Sequence, residues 1–278
     1  MSNRNIDMVI TDFDGTLLQS DRTVSSTDVE TLEKLGRQGI CRVIATGRSY
    51  FSLRKVISHS FPCDYVIVSS GAGVILWPEN TLVREHHMEE EHVEDLIGRL
   101  ISLEVDFCVQ HPLPDNHFFA YHDAGNHNPD FLSRIELYKE YAKPFDGRNE
   151  PFGRASQIIG IIPGDEMLYA RVLQALDDAH VIRSTSPLDG KSIWIELFPR
   201  GVSKSAASAW LAERLSIEQE RTLGIGNDYN DMDLLQWTGL SAVVANSIDH
   251  LKGLHPVVPS NDDNGFTHAV LQKALLTV

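Results

Sequence analysis

Two aspartates stand two residues apart in Asp12-Phe13-Asp14-Gly15-Thr16-Leu17, directly after the apolar run Met8-Val9-Ile10. Such a pair offers a carboxylate nucleophile beside a carboxyl group that can give and take a proton, the equipment for group transfer through a covalent intermediate. If the apolar run is a buried parallel strand, its carboxyl end opens into the crevice where α/β sheets bind ligands, and both side chains face a substrate. The hexapeptide also reads as a polar turn, because Asp-Gly is a common turn dipeptide. Other segments must decide between the two.

Three further loops follow apolar runs: Ala45-Thr46-Gly47-Arg48, Ser69-Ser70-Gly71, and Gly226-Asn227-Asp228-Tyr229-Asn230-Asp231. A hydroxyl followed by glycine lets Thr46 Oγ1 and nearby backbone N–H groups approach phosphate oxygens closely, although a strand-to-helix turn with an N-cap reads the same way. Lys204 opens a helix, where a cation is disfavoured by the dipole unless an anion lies beside it; an exposed surface lysine is the alternative. The loop 226–231 gathers oxygen-bearing side chains of the kind Mg²⁺ prefers, but it lacks the glycine and spacing of a calcium-binding EF-hand. Helix capping by these Asx residues is compatible with either reading.

The elements that must position these loops alternate. Met8 to Thr11 reads as a strand; Thr27-Asp28-Val29-Glu30 supplies a capping box for a helix carrying Val29, Leu32 and Leu35, which Gly39 ends. Ile40 to Ala45 is a second strand, Tyr50 to Ser58 is helical, and Tyr65 to Val68 is a third strand. Later, Ser203 caps a helix reaching Leu215, and Leu223 to Ile225, Ala242 to Ala245 and Val257-Val258 continue the alternation. This predicts an α/β chain with a Rossmann-like, doubly wound parallel sheet. The stretch 85–185 breaks the rhythm, with a helix at Val93 to Leu103, strands at Val105 to Val109, Phe118 to Tyr121 and Ser156 to Ile162, a helix near Asp165 to Asp178 and a strand at His180 to Arg183. It reads as an inserted α/β domain, leaving 1–84 and 186–278 as a discontinuous core.

Composition narrows the partners. With 39 acidic against 24 basic residues, a net charge of −15, the chain is not a general polyanion binder, so nucleic acid is not expected. Phosphate binding against that background field calls for local cations or a metal. Cys41, Cys63 and Cys108 form no CxxC pair and suggest a reducing compartment. No apolar stretch is long enough to span a bilayer, so the expectation is a cytoplasmic protein with no membrane partner. His86, His87 and His92 lack an HExxH arrangement, and the neighbouring Glu89 to Glu91 suggest a solvated helix start.

Four motifs in order, DxDGT, Thr-Gly, Lys and an acidic GNDYND loop, with an insertion between the second and third, resemble the haloacid dehalogenase-like phosphatases, specifically Cof-type members with a type IIB cap. The resemblance implies that Asp12 attacks phosphorus and Asp14 acts as acid and then base. It further implies that Thr46, Gly47 and Lys204 bind the phosphoryl group. By the same analogy the cofactor is Mg²⁺, held by Asp12, Asp14 and some of Asn227, Asp228 and Asp231. Two positions depart from the family pattern: Asn227 stands where an aspartate is usual, so Asp228 is favoured here as the metal's carboxylate, and Ser70 replaces a frequent asparagine. The implied substrate is a small phosphorylated metabolite, a sugar phosphate foremost, with specificity residing in the cap; His117, Asp123, Arg154 and Arg183 are polar candidates there. The same phosphoenzyme could instead serve a phosphomutase or phosphotransferase, and Asn227 raises a non-catalytic phosphate sensor as a third reading.

Overall fold

The computed structural model describes residues 6–145, 151–177 and 179–273, arranged as two compact units. The first comprises residues up to 48, 52–84 and 203 onward; the second comprises 49–51 and 85–202.

The chain opens with β1 (Met8–Thr11), α1 (Ser26–Arg37), β2 (Cys41–Ala45), α2 (Tyr50–Arg54) and β3 (Tyr65–Val68), the expected βαβαβ start, followed by β4 (Gly73–Leu76) and β5 (Thr81–Glu85); all of these residues but Tyr50, Phe51 and Glu85 belong to the first unit. All four residues of β1 are buried, as expected of a parallel strand covered on both faces. The helix cap differs from expectation. Ser25, not Thr27, caps α1 by accepting the Asp28 N–H at 3.0 Å, while the Asp28 carboxylate is buried and accepts from Thr267 Oγ1 at 2.7 Å and its N–H at 3.1 Å. Asp28 thus ties α1 to the C-terminal helix instead of serving a capping box. The helix predicted from Tyr50 to Ser58 is also shorter, closing at Arg54.

The second unit contains α3 (Glu90–Ser102), β6 (Asp106–Gln110), β7 (Phe119–His122), α4 (Pro129–Leu137), β8 (Ala142–Pro144), β9 (Gln157–Ile162), α5 (Glu166–Ala175), β10 (His180–Thr185) and β11 (Ile193–Phe198). Its sheet runs β10-β11-β9-β6-β7-β8. Strand alternation sorts side chains between two layers: Phe107, Val109, Ile158, Ile162, Ile193, Ile195 and Leu197 pack with Val93, Leu96, Ile97 and Leu100 of α3, whereas Cys108, Ile159, Ile161 and Trp194 pack with Phe131 of α4. Position 178, the predicted end of the helix now seen as α5, lies outside the described residues.

The segment 186–202, assigned to the core by sequence, belongs to this second unit. Its strand β11 lies between β10 and β9, antiparallel to both. The buried Asp130 carboxylate also holds it, accepting from Ser186 Oγ and Trp194 Nε1, each at 2.7 Å. An all-buried run such as Ile193–Phe198 looks alike in either sheet, so hydropathy alone did not assign it.

The chain then returns to the first unit through α6 (Lys204–Arg214), β12 (Thr222–Gly226), α7 (Met232–Trp237), β13 (Leu240–Val244), α8 (Asp249–Lys252), β14 (Val257–Val258) and α9 (Gly265–Lys273). The core sheet order is β14-β13-β12-β1-β2-β3-β4-β5, parallel from β14 through β3 and antiparallel at the β3–β4 pair. Because β12, β1, β2 and β3 are consecutive and parallel, the loops after them emerge along one edge, which is where the sequence motifs lie.

Candidate active site

Asp12 extends β1 by one residue, its N–H donating to the Ile225 carbonyl at 2.8 Å. This fixes it at the strand end with its carboxylate nearly enclosed. Lys204, the first residue of α6, reaches it: Nζ donates to Asp12 Oδ1 at 2.6 Å and to Asp231 Oδ1 at 2.7 Å, with the lysine side chain fully buried. These two carboxylates are the anions that a cation at a helix start requires. The helix N-terminus is capped separately, by Ser203 Oγ accepting from Ala206 N–H and by Asp233 Oδ2 accepting from the N–H and Oγ of Ser205.

Burial first, and the neighbouring Asp231 next, push the Asp12 carboxyl up to about 7 against the pull of Lys204. For Lys204, burial opposes the charge, but Asp12 and Asp231 outweigh it and hold the ammonium above its ordinary value. One buried cation therefore sits between two buried carboxylates, and it stays protonated across the physiological range.

Asp14 meets a different cation. Arg48 clamps its carboxylate with both arms, Nη2 to Oδ1 at 2.6 Å and Nε to Oδ2 at 2.7 Å, the fork geometry that arginine alone offers. The guanidinium also lies 5.5 Å from the centre of the Phe13 ring. The structure thus joins Arg48, the residue after Thr46-Gly47, to Asp14.

Thr46 and Gly47 follow β2 in the neighbouring loop. Thr46 is buried, its Oγ1 accepting from Arg48 N–H at 3.1 Å, which folds the loop back on itself. This loop is braced by the next one. Ser69 N–H donates to the Arg48 carbonyl at 2.9 Å and Ser70 N–H to the Thr46 carbonyl at 3.0 Å. The brace requires three successive left-handed residues, Ser69 (φ 48°), Ser70 (φ 51°) and Gly71 (φ 113°). Two serines at positive φ are uncommon, and such strain persists where the surroundings over-determine it. At Gly71 a Cβ would lie 2.3 Å from the Ser203 carbonyl oxygen, so only glycine lets this turn pack against the residue preceding Lys204.

The loop after β12 divides its side chains. Asp231 is buried; besides Lys204 it accepts from the N–H groups of Asn227 (2.8 Å) and Asp228 (3.1 Å) through Oδ2. Both its oxygens are thereby engaged, which makes it the anchor of the loop. Asn230 points its amide toward Gly47, 3.7 Å from where a Cβ on that glycine would stand. Asn227 faces Asp12: Thr16 Oγ1 donates to its amide oxygen at 3.0 Å, and the same end of the amide lies 3.1 Å from Asp12 Oδ2 and 3.2 Å from the Asp14 carbonyl. Among the described residues, no three Asp, Glu, His or Cys side chains form a cluster able to hold a metal ion. The Asn227 amide oxygen nevertheless adjoins a carboxylate oxygen, a carbonyl and a hydroxyl, together the hard donor set that Mg²⁺ takes.

Asp12, Asp14, Thr46, Gly47, Lys204, Asn227 and Asp231 are thus connected along one sheet edge, with Asp228 entering through its backbone N–H. Signals that could have added Arg48 and Gly71 were present: an arginine directly after Thr-Gly, and a glycine closing a loop that must turn sharply after β3. His117, Asp123, Arg154 and Arg183 lie in the second unit, where Arg183 pairs with Glu166 at 2.6 Å and Arg154 meets His87 at 2.8 Å.

Comparison with known proteins agrees with this arrangement. The haloacid dehalogenase-like hydrolase profile matches residues 9–270. A Bacillus subtilis 5-amino-6-(5-phospho-D-ribitylamino)uracil phosphatase is 25% identical over 280 residues, covering 94% of this chain and 96% of its own. An HMP-PP phosphatase of Yersinia pseudotuberculosis is 25% identical over 248 residues, 87% of this chain and 84% of its own. Among solved structures, a HAD subclass IIB sugar phosphatase superimposes with a TM-score of 0.74 at 17% identity, covering 96% of this chain and 98% of that one. The chain belongs to the haloacid dehalogenase-like hydrolase family and has the two-sheet fold of its subclass IIB members.

Proposed function

We propose that the protein is a Mg²⁺-dependent phosphatase acting on a small phosphorylated metabolite through an aspartyl-phosphate at Asp12. The observation that carries this reading is the buried Lys204 ammonium 2.6 Å from Asp12 Oδ1, with Asp14 two residues on and the Thr46-Gly47 loop alongside. A carboxylate approaching a phosphomonoester meets a group bearing about −1.5 to −2 charges, and a fixed cation offsets that repulsion.

In the first step an Asp12 oxygen forms a bond to phosphorus as the ester P–O bond breaks, and Asp14 gives its proton to the departing alkoxide. In the second, Asp14 takes a proton from water, whose oxygen attacks phosphorus; the P–O bond to Asp12 breaks and inorganic phosphate leaves. The fork of Arg48 on Asp14 must open for the first of these transfers, since a clamped carboxylate cannot carry the proton. The Gly47 N–H and the Thr46 hydroxyl receive the phosphoryl oxygens, with Asn230 close to Gly47, while the Thr46 N–H stays on the Ile67 carbonyl at 2.8 Å. Asp12 Oδ2, the Asp14 carbonyl and Asn227 fit a divalent ion, which would supply further charge neutralisation at the phosphoryl group.

The substrate reading rests on the relatives. A phosphate ester carried on a polyhydroxylated chain, a sugar phosphate or its alditol, matches what the Bacillus relative's name describes. Three free cysteines and the absence, among the described residues, of any helix long and apolar enough to cross a membrane support a cytoplasmic setting.

Phosphate release should be measured across sugar, nucleotide and cofactor monophosphates with and without Mg²⁺. The reading predicts metal-dependent release of inorganic phosphate, abolished in Asp12→Asn. An isomeric phosphate ester without free phosphate would identify a mutase instead, and inactivity of the Mg²⁺-replete protein on the whole panel would refute hydrolysis.

A further inference from the structure

The turn that carries Asp14 is held from outside itself. Within it, the Phe13 carbonyl accepts the N–H groups of Thr16 (3.3 Å), Leu17 (3.1 Å) and Leu18 (2.7 Å), and none of these bonds uses the Gly15 carbonyl. Gly15, directly after Asp14, adopts a φ of 73°, and glycine is the residue whose flanking peptide planes turn most freely. Asn246, in the loop after β13, anchors it: Nδ2 donates to the Gly15 carbonyl at 2.8 Å while Oδ1 accepts the Asn261 N–H at 3.0 Å. A carbonyl at one end of the amide and an N–H at the other fix which atom is which. Asn261 continues the seam, donating from Nδ2 to the Leu18 carbonyl at 2.9 Å, and Asp262 accepts the N–H (2.8 Å) and hydroxyl (2.7 Å) of Ser20. A Cβ on Gly15 would stand 2.8 Å from Asn227 Nδ2 and 3.7 Å from Asn246 Nδ2, so this glycine lies between two amide side chains.

We propose that Asn246 is a positioning residue for Asp14: by anchoring the Gly15 carbonyl it sets the direction from which the Asp14 carboxyl meets the leaving oxygen. This role rests on the phosphatase reading above, in which Asp14 gives its proton to the departing alkoxide. Asn246 is exposed and contributes one hydrogen bond on each side of its amide, so its removal weakens the fold little. The chemistry is far more sensitive, because a displacement of about 1 Å in a reacting group costs on the order of 100-fold in rate. The demand on Asp14 also depends on the leaving group. An alkoxide must be protonated as it departs, whereas an activated aryl oxide such as p-nitrophenolate leaves without a proton. Since kcat/KM reports only the steps up to that departure, a loosened Asp14 penalises alkyl esters and spares the aryl ester. A general loss of packing, or a displaced Asp12, penalises both alike.

The test compares kcat/KM of the Mg²⁺-replete full-length protein for p-nitrophenyl phosphate and for the sugar monophosphate it hydrolyses fastest, with melting curves alongside. Asn246→Asp is isosteric: it keeps the acceptor for the Asn261 N–H and sets a carboxylate oxygen against the Gly15 carbonyl. It should lose about 10-fold or more on the sugar phosphate and less than about threefold on the aryl ester. Asn246→Ala should show the same split. Asp262→Ala, which releases Ser20 and leaves Gly15 anchored, should lower Tm without changing the ratio of the two kcat/KM values. Equal losses on both esters in the Asn246 variants would make the residue structural only, and no loss on either would detach it from the chemistry. Each of these results overturns the proposal while wild-type phosphate release, and with it the phosphatase reading, stands. Wild-type protein that releases phosphate from none of the esters refutes the phosphatase reading itself, and the role of Asn246 falls with it.

Discussion

Replacing Lys204 by methionine is the perturbation on which the electrostatics of the site turn most sharply. Methionine fills most of the lysine's volume, so little cavity cost enters; what is removed is the charge between Asp12 and Asp231, 2.6 and 2.7 Å away, with the lysine wholly buried. Removing one partner of a buried ion pair typically costs about 3–5 kcal/mol, because the charge left behind has lost both water and its counter-ion. At about 2–4 °C per kcal/mol for a chain of this size, the melting temperature should fall by about 6–20 °C. The pH dependence has a definite sign. Asp12 already lies above its unfolded value through burial and Asp231, and Lys204 is the influence that lowers it, so the variant pushes it higher still. A carboxyl raised in the folded state stabilises the fold at low pH and loses that contribution as pH rises through its folded pKa. Melting curves of metal-stripped Lys204→Met between about pH 5 and 8 should therefore fall with pH more steeply than those of wild type. Loss of the cation from the transition state should lower kcat by about 100-fold or more. A variant melting within about 2 °C of wild type, with the same pH slope, would refute the claim that this ammonium compensates the two carboxylates.

Arg48→Ala should cost about 1 kcal/mol or less in stability in denaturant titrations, since Asp14 is partly exposed and its pairing with the guanidinium is screened by water. Gly71→Ala should lower stability by about 2–4 kcal/mol in denaturant titrations, because its φ of 113° and the 2.3 Å approach to the Ser203 carbonyl leave no space for a methyl group, and activity should fall with it as Lys204 shifts. With Asp12 raised from 3.8 to about 7, the metal-stripped wild type should lose stability as pH rises through that window, and Asp12→Asn should lack that part of the slope.

Much of the core and its site was legible because each motif follows a buried parallel strand, and such strands announce themselves as apolar runs. Asp12, Thr46 and Asn227 could be assigned to strand ends without knowing the sheet order. What escaped depended on side-chain direction or partner choice. Nothing in the order Asn227-Asp228 says which of two adjacent residues turns inward; the backbone after β12 presents Asn227, and charge alone had favoured Asp228. The Arg48–Asp14 clamp joins residues 34 apart in sequence, a pairing that exists only because β1 and β2 are neighbours. In the second unit, α4 went unread although Asn128 and Pro129 form a usual N-cap and first-turn pair, because the surrounding prolines and glycines suggested irregular chain. Strand β11 went unread and fell to the core side of the boundary at 186, since burial on both faces erases the alternation that would have marked an antiparallel strand.

The central claim is that Asp12 becomes covalently phosphorylated. Rapid acid quench during turnover of a phosphate-labelled monoester, followed by peptide mapping, tests it directly. The account predicts a label on the peptide containing Asp12 that is stable in acid, discharged by hydroxylamine as an acyl phosphate must be, and absent from Asp12→Asn. Label on any other residue, or sustained Mg²⁺-dependent hydrolysis by Asp12→Asn, would contradict it.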